Sequence, residues 1–536
     1  MDEALDRRWE DRLSLLRGGE QVRVLDLFSG CGGLSLGFRA AGQATPGEKG
    51  TAGRVKIIGG VEIDRDAAAT HGANFHPGDP RHAIDRDLTR LEPEQLLEET
   101  GQAGLPVDIL VGGPPCQAFS RIGRAKLREI AKHPLAHLED DRSSLYLRYL
   151  HWVDRLRPLA LVMENVPEMM CHGGVNYASL ACEALEQMGY DCGYTLLNAV
   201  HYGVPQMRSR VFLIAWARVL KRPVDFPTPV VRHILPAGYQ DASRAATRLA
   251  REEACRFLKQ TPSVQQLRKS ALTARQALQD LPVIGWHLEL ISQATEKLSG
   301  RLRPETALKP GEMVEYSSLP VGKYAKLMRN WPGLPMPWTT DWHTMRWLPR
   351  DYPIFALMEP GDQYPQALEL ARQMFADRIL DLEDKGHMLF PGDAEYIKLH
   401  EDIIPPYDEH KFPNKWRKME ADSPARTLMA HLGKDSYSHI HYDSAQARTI
   451  TVREAARLQS FPDGFSFCGS MNAAFRQIGN AVPPLLAWHL GSHLLEQMGV
   501  APGRAEQGTG SRKADTSEKT ARLPIRPDLL KTPAQA

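Results

Sequence analysis

Gln21–Gly33 reads QVRVLDLFSGCGG. Its first eight residues are mostly apolar, with β-branched side chains, and they run into a glycine-rich turn. That pattern predicts a strand feeding directly into a helix. Similar apolar runs recur at Val55–Val61, Val107–Val111, Ala160–Met163 and Val211–Ala215. Helix-like stretches, Ser143–Leu156 and Tyr177–Met188 among them, separate several of these runs. Alternating strand and helix is the pattern of an α/β protein with a doubly wound sheet. Such sheets hold ligands beyond the carboxyl ends of their strands, so the loops leaving each run are where chemistry is expected.

The first of these loops carries Asp26, Phe28, Gly30 and Gly33 within DLFSGCGG. Glycines there permit tight backbone geometry and close approach of a ligand to main-chain N–H groups. A bare strand–helix turn without a ligand is the competing reading, and spacing alone does not separate a dinucleotide from another nucleoside cofactor. Glu62 ends the next run, in GGVEID, where an acidic residue is expected to bind ribose hydroxyls. Its usual distance from the glycine turn is about 20 residues. Here the distance is longer, and Gln43–Arg54, read as an inserted loop, accounts for the excess. Asp87, in RDLTRL, stands where a third loop reaches towards an adenine. Taken singly, Glu62 and Asp87 read equally well as solvated carboxylates.

The fourth loop is GGPPCQAFS, Gly112–Ser120, following the short run DILV. A cysteine held on a rigid Gly/Pro turn at a strand's carboxyl end suits covalent catalysis, because its thiolate is strongly nucleophilic. A buried structural cysteine is the ordinary alternative. Two glycines and two prolines would make an odd core strand, which favours Cys116 as a nucleophile.

Composition narrows the class. With 42% hydrophobic and 24% charged residues, the chain has the make-up of a globular protein with room for several domains. Its seven cysteines are scattered and contain no C-x-x-C pair, against a disulfide framework and against a structural zinc site. No apolar run is long enough for a bilayer, and the first 20 residues are charged rather than signal-like, so a reducing cytosol is expected. The net charge of +1 neither favours nor excludes nucleic acid, so any such contact has to come from local basic surface.

Six ordered motifs then point to one family. DLFSGCGGLSLGF and GGPPCQAFS resemble the first motif and the catalytic loop of the DNA cytosine C5-methyltransferases. Met163–Val166 resembles that family's ENV motif, and Gln206–Arg210 its QxRxR motif. TVREAARLQSFPDGF and RQIGNAVPP resemble its last two. The resemblance spans residues 22–215 and 448–492. It implies a Rossmann-like methyltransferase domain that binds S-adenosylmethionine through Phe28, Gly30, Gly33, Glu62, Ile63, Asp87, Leu88, Pro115 and Asn480. It implies duplex DNA as substrate and no metal. It further implies that Cys116 adds to C6 of cytosine, making C5 enamine-like. Glu164 would hold the base's N3 and amine, while Arg210, with Arg208 beside it, contacts O2 and braces the carboxylate. Cytosine C5 is reachable only if the base leaves the duplex, so base flipping is implied as well.

The resemblance also orders the chain: a lead-in (1–20), a catalytic domain (21–225), a target recognition domain (226–447), C-terminal motifs of which the last returns to the catalytic domain (448–500), and a tail (501–536) whose composition reads as disordered. The segment after Ser120 departs from the family pattern by its length. Arg121, Arg124, Lys126 and Arg128 make it basic, and it reads either as a mobile flap over DNA or as a solvated charged helix. Residues 226–425 lack steady βα alternation. Basic clusters at Arg244–Lys269 and Lys323–Arg329, with Trp331, Trp338, Trp342 and Trp347, suit DNA contacts, although the tryptophans serve equally in a small irregular core. An RNA cytosine methyltransferase and an inactive DNA-binding relative are the alternatives. The long variable region speaks against the first, and intact Cys116, Glu164 and Arg210 against the second. A bacterial restriction–modification role with a partner endonuclease is expected, and an orphan enzyme is equally compatible.

Overall fold

The computed structural model describes residues 3–43, 53–115, 145–171, 175–240, 248, 255–288, 305–336, 338–411 and 415–501. Cys116, the basic segment that follows it, most of the Gln43–Arg54 insertion and the tail from residue 502 lie outside these residues.

Six strands form the central sheet: β1 (Val22–Leu27), β2 (Val55–Val61), β3 (Ile109–Gly112), β4 (Ala160–Asn165), β5 (Tyr190–Asn198) and β6 (Ser209–Ala217), in the order β2-β1-β3-β4-β6-β5. Strands β1 to β4 pair in parallel. Their near-continuous apolar sequences follow from burial on both faces. β6 runs antiparallel to both β4 and β5, so the βα alternation expected for Val211–Ala215 breaks at this edge. Strand β5 was hidden in YDCGYTLLN, whose Asp, Cys and Gly blur the β signal.

The helices are α1 (Glu3–Arg17), α2 (Gly33–Ala41), α3 (Arg65–Phe75), α4 (Pro93–Glu99), α5 (Leu145–Leu156) and α6 (Tyr177–Gln187) in the first part of the chain. Beyond it come α7 (Ala274–Leu278), α8 (Gly322–Arg329), α9 (Tyr352–Leu357), α10 (Tyr364–Asp384), α11 (Ala394–Ile403), α12 (Val452–Leu458), α13 (Met471–Asn480) and α14 (Pro484–Met498). None of the described helices is long and apolar enough to cross a membrane.

The charged lead-in is a working part of the main core. Trp9, Leu13 and Leu16 of α1 are buried in it, and the Trp9 indole donates to the Arg157 carbonyl at 2.9 Å. Arg12 grips Asp108 through two hydrogen bonds of 2.7 and 2.9 Å, fixing the helix to the loop before β3. Helix α14 joins the same core from the other end of the chain, with Leu486, Leu490 and Leu494 fully or almost fully buried. It packs on α2 so closely that a Cβ on Gly37 would stand 2.4 Å from the Ala487 Cβ and 2.5 Å from the Pro484 carbonyl. Only glycine allows two helix backbones to approach this far.

A second core lies on the far side of α2. It joins Cys31 and Leu36 to residues of α7, α8, α12 and α13, and to Trp331 and Trp342 from the segments between them. A third collects Tyr352, Phe355, Tyr364 and Trp416 around α9 and the start of α10. Among the elements of the second core runs a chain of buried ions. Arg457 binds Asp463 at 2.5 Å and Asp280 at 3.0 Å, and Asp280 binds Arg329 at 2.6 Å. The start of α12 is a capping box, in which the Thr451 hydroxyl accepts from the Glu454 N–H and the Glu454 carboxylate accepts from the Thr451 N–H. TVRE is therefore legible as a helix start from the sequence alone.

Candidate active site

One cleft of about 430 Å³ opens at the carboxyl ends of β1 to β4. Every expected site residue within the described set lines it: Phe28, Gly30 and Gly33 from the first loop; Glu62 and Ile63 from the second; Asp87 and Leu88 from the third; Pro115 from the fourth; Glu164, Arg208 and Arg210; and Asn480 from the end of α13. The parallel strands explain this convergence, since each delivers its loop to the same edge of the sheet. Cys116 is adjacent in sequence to Pro115 but lies outside the described residues.

Phe28 has φ of 56°, the left-handed region that non-glycine residues rarely occupy. The strand thus turns sharply at the cleft's wall. Glu62 faces that turn. Its carboxylate accepts from the Gly30 N–H and from the Asp64 N–H, each at 2.8 Å. Burial raises its pKa above the usual carboxylate range, against the lowering effect of those two bonds. The Asp87 carboxylate accepts from the N–H and hydroxyl of Thr89, at 2.9 and 2.7 Å, which fixes its loop. Beneath them, Asp26 Oδ1 and Ser29 Oγ are buried without hydrogen-bond partners among the described residues. Burial lifts the Asp26 carboxyl to about 7, even though Ser35 donates to it. Orphaned acceptors at the floor and a braced carboxylate on the wall match a ligand rich in hydroxyl and ammonium donors. An adenosyl amino acid has that donor set.

The other half of the cleft surrounds Glu164. Arg210 Nε lies 3.0 Å from Glu164 Oε1, with both side chains largely buried. This pair depends on the antiparallel edge. Because β6 runs against β4, its first residues lie beside the last residues of β4, and Asn165 pairs with Val211. A parallel β6 would carry Arg210 to the opposite end of the sheet. Gly113 passes directly over the carboxylate, and a Cβ there would stand 3.0 Å from Glu164 Oε2.

Arg208 differs from its expected placing as a brace for Glu164. Its guanidinium donates instead to the carbonyls of Leu428 and Gly479, each at 3.0 Å. Gly479 is in the last turn of α13, where carbonyls lack intrahelical partners and a guanidinium fork satisfies them. Burial, with the like charge of Arg210 second, lowers its pKa to about 9. Bracing the carboxylate falls to Arg210.

Sequence reading gave no role to several residues that the fold brings here. Asn165 donates through Nδ2 to the Pro114 carbonyl at 2.8 Å, tying the end of β4 to the cysteine loop. The motif MENV contains it, so a signal was present. Gln206 accepts from the Leu428 N–H at 2.9 Å and donates to Gln459, stitching the second part of the chain to the first. Arg476, the first residue of the RQIGNAVPP motif, lines the cleft and binds Asp64 at 2.7 Å across 412 residues. Among the described residues no group of three or more His, Cys, Asp or Glu side chains is arranged to hold a metal ion.

A parallel-dominated sheet with a nucleoside-type cleft at its strand ends defines the Rossmann-like methyltransferases that use S-adenosylmethionine. Within that class, the family model for C-5 cytosine-specific DNA methylases matches residues 22–297 and 361–496, and the chain belongs to that family. It is an S-adenosylmethionine-dependent enzyme that methylates cytosine C5 in DNA. M.OihORF3336P of Oceanobacillus iheyensis, provisionally named a type II methyltransferase, is 37% identical over 87% of this chain and 93% of its own length. The type II methyltransferase M.AgeI of Thalassovita gelatinovora is 31% identical over 87% of this chain and 97% of its own. Among solved structures, one provisionally described as a DNA modification methyltransferase encoded within an Escherichia coli prophage superposes with a TM-score of 0.53. It covers 89% of this chain and 99% of that one at 22% identity, a likeness of fold.

Proposed function

We propose that the chain methylates a flipped cytosine within a specific duplex sequence, with Cys116 as nucleophile and Glu164 and Arg210 as the groups that hold the base. The observation that carries this reading is the Glu164–Arg210 ion pair, set directly beneath Gly113 in the cleft that also holds Glu62. S-adenosylmethionine, when bound, supplies an electrophilic methyl group. Phe28, Gly30, Gly33, Glu62, Ile63, Asp87, Leu88, Pro115 and Asn480 would hold it, with Glu62 accepting from the ribose hydroxyls. The Cys116 thiolate forms a bond to C6 of the cytosine, which pushes electron density onto C5 and N3. Glu164 supports that change by accepting from the exocyclic amine and sharing a proton with N3 as charge develops there. Arg210 fixes the carboxylate and contacts O2, so the donors are in place before charge develops. After methylation a base removes the C5 proton, the C6–S bond breaks, and Cys116 is released.

Relatives named as type II methyltransferases support a restriction–modification role, in which methylation shields the host's sites from a cognate endonuclease in the bacterial cytosol. The test is expression in a methylation-free host followed by bisulfite sequencing. Protected cytosines recurring in one sequence context are expected, and their absence counts against the reading. Cys116→Ser should abolish turnover and leave S-adenosylmethionine binding intact by calorimetry. Wild-type turnover in that variant would remove Cys116 from the mechanism.

A further inference from the structure

With a net charge of only +1, attraction for DNA has to be concentrated locally. One such concentration stands just outside the cleft, on the recognition side. Arg426 immediately precedes Thr427 and Leu428, which are fastened to the catalytic part. The Thr427 hydroxyl donates to the Met207 carbonyl at 2.7 Å, Leu428 binds Gln206 and Arg208, and the next two residues, Met429 and Ala430, line the cleft. Arg417 comes to the same place along a neighbouring segment. Its N–H donates to the Tyr437 carbonyl at 2.8 Å and its carbonyl accepts from the Ile440 N–H at 3.0 Å. Between them sits His439, whose Nε2 lies 3.3 Å from the Arg426 carbonyl.

Among the described residues neither guanidinium has a carboxylate in ion-pair contact. Burial, and after it the like charge of Arg426, disfavour the charge on Arg417, and Glu420, beyond ion-pair contact, offsets them only in part. Burial, and after it the two arginines, keep His439 neutral, so it neither neutralises the pair nor adds a third positive charge. Two mutually repelling cations, left unneutralised at a fixed edge of the cleft, are stabilised by a shared anion. Uncharged acceptors on base edges would leave the repulsion in place. A backbone phosphodiester removes it, and guanidinium donors match phosphate oxygens.

We propose that Arg417 and Arg426 together clamp a DNA backbone phosphate beside the target nucleotide. The inference rests on the DNA-methylating reading above and adds the residues that set the duplex against the cleft. Such contacts fix register without reading sequence, and each releases counterions on binding.

The experiment uses the full chain and a 40-base-pair duplex carrying the site that bisulfite mapping of the wild type reports. Affinity is measured against salt for the wild type, Arg426→Gln, Arg417→Gln, the double variant and Arg426→Lys. Because the two arginines share one phosphate, losing both charges should make the slope of log K against log salt shallower by about one, and each single loss by part of that. Arg426→Lys should keep the wild-type slope, and the methylated sequence should stay the same in all of them. Arg426 is exposed, so its variants decide the matter even if Arg417→Gln misfolds. Wild-type slopes in the Gln variants overturn the clamp, as does a methylated sequence that relaxes at one position, which would make the pair a base reader. A wild type that protects no cytosine overturns the underlying reading instead, so the two failures are distinguishable.

Discussion

Asn165 shows how much a single side chain settles at this site. Its amide holds the Pro114 carbonyl at 2.8 Å, and its Oδ1 accepts from the Val166 N–H at 2.9 Å. Both ends of the amide are thus engaged, one by β4's own exit and the other by the Gly/Pro loop that follows β3. Removing it would free the loop, which brings only Pro115 to the cofactor, and would leave Phe28, the glycine turn, Glu62 and Asp87 in place. Asn165→Ala is therefore expected to lower kcat roughly 10- to 100-fold, because small misplacement of a reacting group is costly. The Kd for S-adenosylmethionine should stay within about twofold. An unchanged kcat would show that the loop is positioned by other contacts. Arg208 makes the opposite point. It lies two positions from Arg210 in one motif, yet one guanidinium meets the Glu164 carboxylate and the other closes a helix end.

At the level of elements, the junction of α2 and α14 decides whether the cleft exists at all. α2 begins at the glycine turn, and α14 follows directly on Asn480 and Val482, which line the opposite wall. A Cβ on Gly33 would stand 2.2 Å from the Val482 carbonyl, so the two walls meet at backbone contact. Gly37→Val should force the helices apart and cost about 1–3 kcal/mol, as overpacking commonly does. The urea midpoint should fall, and binding of S-adenosylmethionine should weaken because Asn480 moves with α14. A midpoint equal to the wild type's would mean that the helices pack less tightly than the structure has them.

The whole molecule responds to pH through its buried histidines. Burial draws the pKa of His71 and His343 down to about 3, and of His439 and His441 to about 4. These four come from the methyltransferase sheet side and from the second part of the chain. In the fold they stay neutral until strong acid, whereas in the unfolded chain they take up protons below their ordinary value of 6.5. Between about pH 6.5 and 4 the unfolded state binds more protons, so stability declines as pH falls. Glu454 adds a later loss. Burial alone would raise its carboxyl, but Arg448 and His441 bring it down to about 2, so its contribution disappears between about 4.5 and 2. The melting temperature should hold above pH 7 and fall progressively below about 6.5. A melting temperature constant from pH 7.5 to 5 would contradict this burial of neutral histidines.

The sequence by itself determined the chemistry. Residues 21–33, the GGPPC loop, MENV and QMRSR are local patterns, and a strand with its exit loop needs few neighbours to be recognised. The parallel strands β1 to β4 were legible for the same reason, as continuous apolar runs. What tertiary structure alone decided is which residues meet. The antiparallel turn of β6, set by its pairing with β5, puts Arg210 on Glu164. The return of α14 to α2 brings Asn480 to the glycine turn across more than four hundred residues. The buried bond of Arg457 with Asp280 ties the irregular middle segment to the C-terminal motifs. Such contacts depend on register and on long-range packing, and neither leaves a periodic trace in the chain.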